Sequence, residues 1–399
     1  MVIITDRVLY ITGETLFYSG NILIGSDNKL PGNILYLELV TPEGEQIIEI
    51  KKKTFNNIFD GTITLPEEIL SGYYYLRAYT SSMRNQSPET FGYCLLKIVN
   101  SDNYQVLTQE SEAGNKNRIA ELEPDQNTED AIRIFTAAES YSTRSNVDVD
   151  FRLNTKSSDS LKKIIISIIP ESTTPRYRLG FKDDLLPEDE TLYYPELNEI
   201  SISGKIEGES NYPLTLNITL LKEEINEFIP VRTDDSGRFI FSFPALYGNH
   251  DLFLSYNAVN TSSLLKIDND FYSTKLSLPA PEFKLSDLEE KAAYQLALNL
   301  KVNSYFQPDS VLSEMISDHA PVDTLPFYGK PNQLILIDDF IKMSKLSDYF
   351  TELPVPVKVI ARKENSEISI EGPGAGLNAF PPLVMIDFLP VYDYKTILN

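Results

Sequence analysis

The sequence is poor in the side chains that most often do chemistry: one cysteine, two histidines and no tryptophan in 399 residues. With Cys94 alone, an intrachain disulfide is excluded. No apolar run approaches the ~18 residues of a membrane-spanning helix, and the best candidate, Ile164 to Ile169, has the length of a strand. Positive charge is short as well. Lys and Arg number 35 against 58 Asp and Glu, a net charge of −23. Nucleic-acid affinity comes mostly from Lys and Arg displacing counterions, so no nucleic-acid partner is expected. Anionic lipid surfaces are disfavoured for the same reason. Packing material, by contrast, is plentiful: 42% apolar and 11% aromatic residues, far from a disordered composition. At ~150 residues per domain the length predicts two or three domains.

The first hundred residues read as strand after strand. Val8 to Tyr10, Thr15 to Leu23, Ile34 to Val40, Gln46 to Lys52, Asn57 to Thr64 and Gly72 to Thr80 are rich in β-branched and aromatic residues. Thr12-Gly13-Glu14, Asn28 to Gly32, Pro42-Glu43-Gly44 and Leu65-Pro66 punctuate them. Such spacing predicts an antiparallel sandwich. Tyr73, Tyr75, Arg77 and Tyr79 alternate with Tyr74, Leu76, Ala78 and Thr80, giving one aromatic sheet face and one of smaller residues. Cys94 falls in the strand Tyr93 to Ile98 and reads as a small buried hydrophobe, with neither histidine near it in sequence.

Beyond residue 103 the character changes repeatedly. Residues 104–130 are polar and acidic, a linker. Residues 131–196 form a second strand-rich unit, with strands at Ile132 to Phe135, Asn146 to Leu153 and Leu161 to Ile169, then a polar excursion from Thr173 to Leu197. Residues 197–279 form a third, with strands at Ile200 to Ile206, Leu214 to Leu221, Phe228 to Thr233 and Arg238 to Phe243. Asp234-Asp235-Ser236-Gly237 reads as a hairpin turn between the last two. Residues 280–326 are a helical connector: Ser286-x-x-Glu289 is a capping box, and Leu288, Ala292 and Leu296 stack on one face of a helix through Leu300. Residues 327–399 read as a small α+β unit with strands at Gln333 to Ile337, Val355 to Arg362, Glu367 to Glu371 and a buried final strand, Pro382 to Asp387. Met1-Val2-Ile3-Ile4 has no basic or apolar leader pattern, and a buried strand a dozen residues from the end predicts a fragment of a longer chain.

The few chemical motifs have plainer explanations. Asp234 and Asp235 suit backbone hydrogen bonding in a turn better than a metal. Gly374-x-Gly376 follows a strand as a phosphate loop does, but Pro381-Pro382 forbids the helix such a loop needs. Asp268-Asn269-Asp270 opens like a calcium loop, yet its twelfth position is Pro279. His250 and His319 lie in loops of different units. No residue is therefore assigned as catalytic, cofactor-binding or metal-ligating, and the chain reads as a non-enzyme without a cofactor.

A family signal runs through these motifs. Tyr10-x-x-Gly13-Glu14-Thr15-Leu16-x-Tyr18-x-Gly20, Leu35 to Leu39, Pro42-x-Gly44, Asp60-Gly61-Thr62-Ile63-x-Leu65-Pro66 and Ser71 to Thr80 resemble the second macroglobulin-type domain of the alpha-macroglobulin superfamily. Ala78 to Asn85, ending Met83-Arg84-Asn85, is similar to a bacterial branch of it, with Ser82 where that branch has an aromatic residue. Tyr194-Pro195-Glu196, Ile202 to Ile206 and Asp235-Ser236-Gly237-Arg238-Phe239-x-Phe241 resemble a carboxypeptidase regulatory module. Pro382 to Val391 resembles the plug of TonB-dependent receptors, with Phe388 where the plug turn has glycine.

The resemblance implies a mainly β protein: tandem immunoglobulin-like and macroglobulin-like sandwiches followed by a small plug-like α+β region. It implies an exported, non-enzymatic binding or scaffolding protein of the Gram-negative envelope, periplasmic or outer-membrane-associated, with a protein partner there and no membrane span of its own. The thioester of protease-trapping relatives is excluded, because Cys94 is followed by Leu95-Leu96-Lys97. Two alternatives stand beside this reading. One is a thioester-independent protease inhibitor with a bait segment in Ser101 to Asp130; the other is a carbohydrate-binding module using Tyr73, Tyr75 and Tyr79.

Overall fold

The computed structural model describes residues 1–23, 32–107, 120–124, 132–138, 140–142, 145–153, 165–174, 177–181, 192–197, 199–209, 211–222, 226–243, 250–258, 262–306, 329–353, 356–360, 367–370, 382–394 and 398. It is mainly β, with several antiparallel sheets and two α-helices among the described residues. The chain forms two compact units, Met1–Ile200 with Asp270–Leu312, and Ser201–Asn269 with Ser313–Asn399.

The first unit opens with eight strands: β1 (Val2–Thr5), β2 (Leu9–Ile11), β3 (Thr15–Asn21), β4 (Ile34–Val40), β5 (Gln46–Lys53), β6 (Ile58–Thr64), β7 (Gly72–Thr80) and β8 (Gly92–Val99). They form a three-stranded sheet, β1-β3-β6, and a five-stranded one, β2-β8-β7-β4-β5. All neighbours are antiparallel except β2 and β8. Leu16 and Ile63 from one sheet and Leu35, Leu37, Tyr74, Leu76 and Ile98 from the other share one core. The Gly13-Glu14 turn is tied at both ends: Gly13 N–H donates to the Leu65 carbonyl, and Leu65 N–H to that of Glu14.

Strands β4 and β7 are buried along their whole length, so both faces of the five-stranded sheet are covered. The second cover is supplied by the chain returning at Asp270. Tyr272, Leu276 and Leu278 are 2%, 2% and 4% exposed against Tyr36, Tyr79, Tyr73, Tyr75 and Val40. Full burial of such side chains stabilises by ~1.5–3 kcal/mol each. Gly44 explains the Pro42-x-Gly44 motif. It sits at φ +84°, and a Cβ there would meet the Leu276 backbone nitrogen at 2.8 Å. Leu278 N–H completes the dock on the Pro42 carbonyl at 2.7 Å.

Four further strands of this unit, β9 (Ala120–Pro124), β10 (Ile132–Thr136), β11 (Val149–Leu153) and β12 (Tyr177–Phe181), form two-stranded sheets, β9 with β12 and β10 with β11. The β9–β12 pair lies in stretches read from sequence as linker and excursion. Acidic composition there masks an alternation, Glu121-Leu122-Glu123, that suits a strand. Of the strand expected over Leu161 to Ile169, residues 161–164 lie outside the described residues, and the remainder is a correction of the opposite kind. Residues 165–170 belong to no sheet, and Ile168 is 93% exposed. An isoleucine run becomes a buried strand only where a sheet edge receives it.

Helix α1 (Asp287–Phe306) completes the first unit. The expected capping box is formed: Ser286 Oγ accepts from Glu289 N–H at 3.3 Å, and Glu289 Oε2 accepts from Ser286 N–H at 2.8 Å. The buried face keeps the expected Leu296 and departs from expectation at Leu288. Ala293, Leu296, Ala297 and Leu300 pack on Ile11 and Val99, whereas Leu288 is 67% exposed.

The second unit contains β13 (Ile200–Glu207), β14 (Thr215–Leu221), β15 (Glu227–Arg232), β16 (Arg238–Phe243), β17 (Asp251–Tyr256) and β18 (Leu264–Ile267). They form two three-stranded sheets, β16-β13-β18 and β15-β14-β17. Ile206, Leu216, Ile218, Phe239, Phe241 and Phe243 make the core between them. The turn at Asp234–Gly237 is present, but it joins two sheets and closes no hairpin. Its flanks bond in different directions, Thr233 N–H to Leu214 and the Gly237 carbonyl from Ile206.

Also in this unit are α2 (Leu346–Glu352), the pair β19 (Val357–Ile360) and β20 (Glu367–Ile370), and the hairpin β21 (Val384–Ile386) with β22 (Leu389–Val391). The expected strand Gln333 to Ile337 is absent, since Leu334 and Leu336 are 74% and 58% exposed and meet no neighbouring strand. The final strand is half exposed, with Leu383 at 49% and Ile386 at 50%. The turn is tight without glycine, Asp387 and Phe388 both holding positive φ (48° and 66°). Thr219 Oγ1 donates to the Phe388 carbonyl and Asn226 Nδ2 to that of Asp387, seating the hairpin on β14.

Candidate interaction surface

The polar groups most deeply buried in the first unit are structural. Glu38 and Arg77 are cross-strand neighbours on β4 and β7, 0% and 1% exposed. Arg77 Nε and Nη2 both donate to Glu38 Oε2 at 2.8 Å, and Gln46 Nε2 donates to Oε1 at 2.7 Å. Burial pushes the Glu38 carboxyl above its ordinary range against the pull of Arg77. The guanidinium lies 4.9 Å from the Tyr272 ring centroid, so the pair is sealed by the returning segment. Nothing in solution reaches it.

Arg84 shows what the Met83-Arg84-Asn85 motif does here. Its Nη1 donates to the Asp270 carbonyl and its Nη2 to the Tyr193 hydroxyl, while the guanidinium stacks 3.7 Å from the Tyr193 ring centroid. Asn85 exchanges two hydrogen bonds with the Tyr193 backbone. The motif therefore holds the segment before residue 200 and the segment after residue 269 on the same sandwich.

The other sequence candidates are scattered. Cys94 is half-buried on β8, its Sγ 3.3 Å from Thr5 Oγ1. His250 is exposed beside β17, and His319 and Gly372–Gly376 lie outside the described residues. Asp234 accepts three hydrogen bonds from Ser236 and Arg238 with its Oδ1, and these hold its carboxyl below the usual range. Asp268 pairs with Arg238 and Ser203, and Asp270 with Lys51. Among the described residues no three His, Cys, Asp or Glu side chains converge as a metal set. Tyr73, Tyr75 and Tyr79 are 7%, 1% and 0% exposed, covered by the returning segment, so none presents a ring to a sugar. Of the proposed bait segment, 108–119 and 125–130 lie outside the described residues.

An exposed apolar surface with helical spacing lies on α1. Opposite its buried face run Tyr294, Leu298, Val302, Tyr305 and Phe306, exposed by 72%, 45%, 45%, 86% and 81%. Taking 100° per residue, this stripe is centred about half a turn from Ala293, Leu296 and Leu300. An amphipathic surface helix carries one apolar stripe, and a helix apolar on both sides is one made to be covered on both sides. At ~150–250 Å² for a fully exposed ring residue, the three aromatics alone leave on the order of 500 Å² in water. That matches the ~300–600 Å² of the largest patch on a typical monomer. Asp287, Glu290, Lys291 and Gln295 extend the face as a shallow depression towards the helix start. Sequence reading missed this stripe, although the four-residue spacing of Tyr294, Leu298 and Val302 was there to find it.

No helix among the described residues is long and apolar enough to cross a membrane, which says nothing of a β-barrel. No protein-family model matches the chain, and no curated protein matches it. Among solved structures, Salmonella alpha-2-macroglobulin reacted with methylamine aligns at 13% identity and a TM-score of 0.20, over 66% of this chain and 23% of that one. Native Escherichia coli alpha-2-macroglobulin aligns at 14% identity and 0.20, over 67% and 14%. A tetra-tandem repeat from the extending region of a large adhesion protein aligns at 9% identity and 0.16, over 67% and 72%. The chain thus spans less than a quarter of the length of these two macroglobulins.

Proposed function

We propose that the chain is a non-enzymatic binding or scaffolding protein of the Gram-negative cell envelope, periplasmic or outer-membrane-associated, that works by docking another protein surface. The observation that carries the reading is the second apolar face of α1, left in water on a helix whose first face is already buried. The docking of α1 makes that face rigid enough to recognise a partner. Lys97 Nζ bonds Glu289 Oε1 at 2.7 Å and Lys301 bonds Asp102 at 3.0 Å, so the helix is fixed near both ends. Placement in the envelope rests on the sequence resemblance of residues 1–100 and of the regulatory-module and plug motifs.

A photo-crosslinking side chain introduced in the native host tests this. At Tyr305 it should give protein adducts that fractionate with the envelope. At Ser304, exposed on the neighbouring helix surface, it should give few. Equal labelling from both positions, or adducts confined to the cytosol, would overturn the reading.

A further inference from the structure

We propose that the outer face of α1 pairs with the same face of a second copy of this chain, antiparallel about a two-fold axis between Leu298 and Val302; the proposal rests on the docking reading above. The stripe is self-complementary. In that arrangement Leu298 of one copy faces Val302 of the other, and Tyr294 faces Phe306, each pair straddling the midline of the exposed face. A two-fold interface requires this property, the same patch serving both sides.

Charge points the same way. The chain holds 58 acidic residues, yet none falls between Tyr294 and Phe306, where Lys301 is the one charged residue and is tied to Asp102. Two copies at −23 each repel at long range, but between Tyr294 and Phe306 these faces meet without a carboxylate. Area is adequate too. Two such faces together approach the ~1,000–1,200 Å² at the lower end of specific interfaces, which makes the dimer reversible and concentration-dependent.

Sedimentation velocity of the full chain over a concentration series is the test. The wild type should move from monomer to dimer, more readily in ~0.15 M than in ~0.01 M salt, as the Debye length falls from ~30 to ~8 Å. Leu298→Asp should lower the association constant ~10-fold or more, because burying an unpaired carboxylate is strongly unfavourable. Tyr305→Ser provides a second variant, and circular dichroism checks that both fold. Chains carrying Leu298→Cys should form a disulfide with chains carrying Val302→Cys, while Tyr294→Cys chains should not join each other. A wild type monomeric throughout, a dimer indifferent to Leu298→Asp, or Tyr294→Cys self-joining would overturn the pairing. If the chain is monomeric but Tyr305 still crosslinks a different protein in cells, the pairing falls and the docking reading stands. If Tyr305 crosslinks nothing, both fall.

Discussion

Replacing Glu38 by Gln is the sharpest perturbation the first sandwich offers. The change keeps the shape and removes the charge opposite Arg77, which is 1% exposed and has no water to turn to. Breaking a buried pair on one side costs ~3–5 kcal/mol, mostly the uncompensated ion left behind. The rings of Tyr79 and Tyr272, 5.9 and 4.9 Å from the guanidinium carbon, stay in place and hold the loss towards the lower figure. With a urea dependence of ~2 kcal/mol/M, the midpoint should fall by about 1.5–2 M. Changing both partners, Glu38→Leu with Arg77→Met, removes the ions together and should return stability to within ~1–2 kcal/mol of the wild type. Urea unfolding followed by tyrosine near-UV circular dichroism reads both variants, since the tyrosines crowd this face. A single variant losing under ~1 kcal/mol, or a double variant as weak as the single, would refute the argument that the pair is dry and mutually dependent.

Burial pushes Tyr18 and Tyr74 up to about 12, and Tyr10, Tyr36, Tyr75, Tyr79 and Tyr93 upwards as well. Raised folded values mean stability is whole below the ordinary tyrosine value of ~10 and is lost as pH rises beyond it. The tyrosinate absorbance of these seven tyrosines should therefore appear in one cooperative step with unfolding, and their gradual ionisation in a folded chain would contradict it. Glu289 is the acid counterpart: burial opposes its charge, but the bonds to Lys97 and Ser286 outweigh it and hold its carboxyl below the ordinary value. That contribution is present above ~4.3 and lost as pH falls through the lowered value. Glu289→Gln should abolish the acid-dependent loss of α1 helicity, and an unchanged acid transition would count against the box. Phe388→Gly should leave the second unit as stable or up to ~1 kcal/mol more stable, since a left-handed backbone disfavours side chains by ~1–2 kcal/mol. A loss greater than ~1 kcal/mol would show that the half-buried ring outweighs the backbone effect.

Strand periodicity made most of the sandwich legible. The predicted Ile34 to Val40 and Gly72 to Thr80 are β4 and β7 to the residue, because alternating branched and aromatic side chains admit little else. The failures have physical reasons. The isoleucines at 165–169 and the leucines at 334 and 336 look like strands locally, but a strand needs an edge, and edges are supplied by distant chain. The roof over the tyrosines, Tyr272 to Phe283, is extended chain held by side chains, so it leaves no periodic mark. The charged pair Glu38 and Arg77 is 39 residues apart and is brought together only by the β4–β7 register. In α1 the capping box and the burial of Leu296 were readable, yet Leu288 was placed on the wrong side. A helix apolar on two opposite sides gives the 3.6-residue period two equal answers, and only Ile11 and Val99 decide between them.

Oxidative footprinting of tyrosine and phenylalanine side chains, in the native cell and in the dilute purified chain, addresses the docking face itself. Tyr104, fully exposed and distant in sequence, calibrates the dose. The account predicts that Tyr294, Tyr305 and Phe306 react as readily as Tyr104 in the dilute chain and become protected in the cell. Equal modification of the three in both settings would show that nothing covers the outer face of α1, and the docking account would fail.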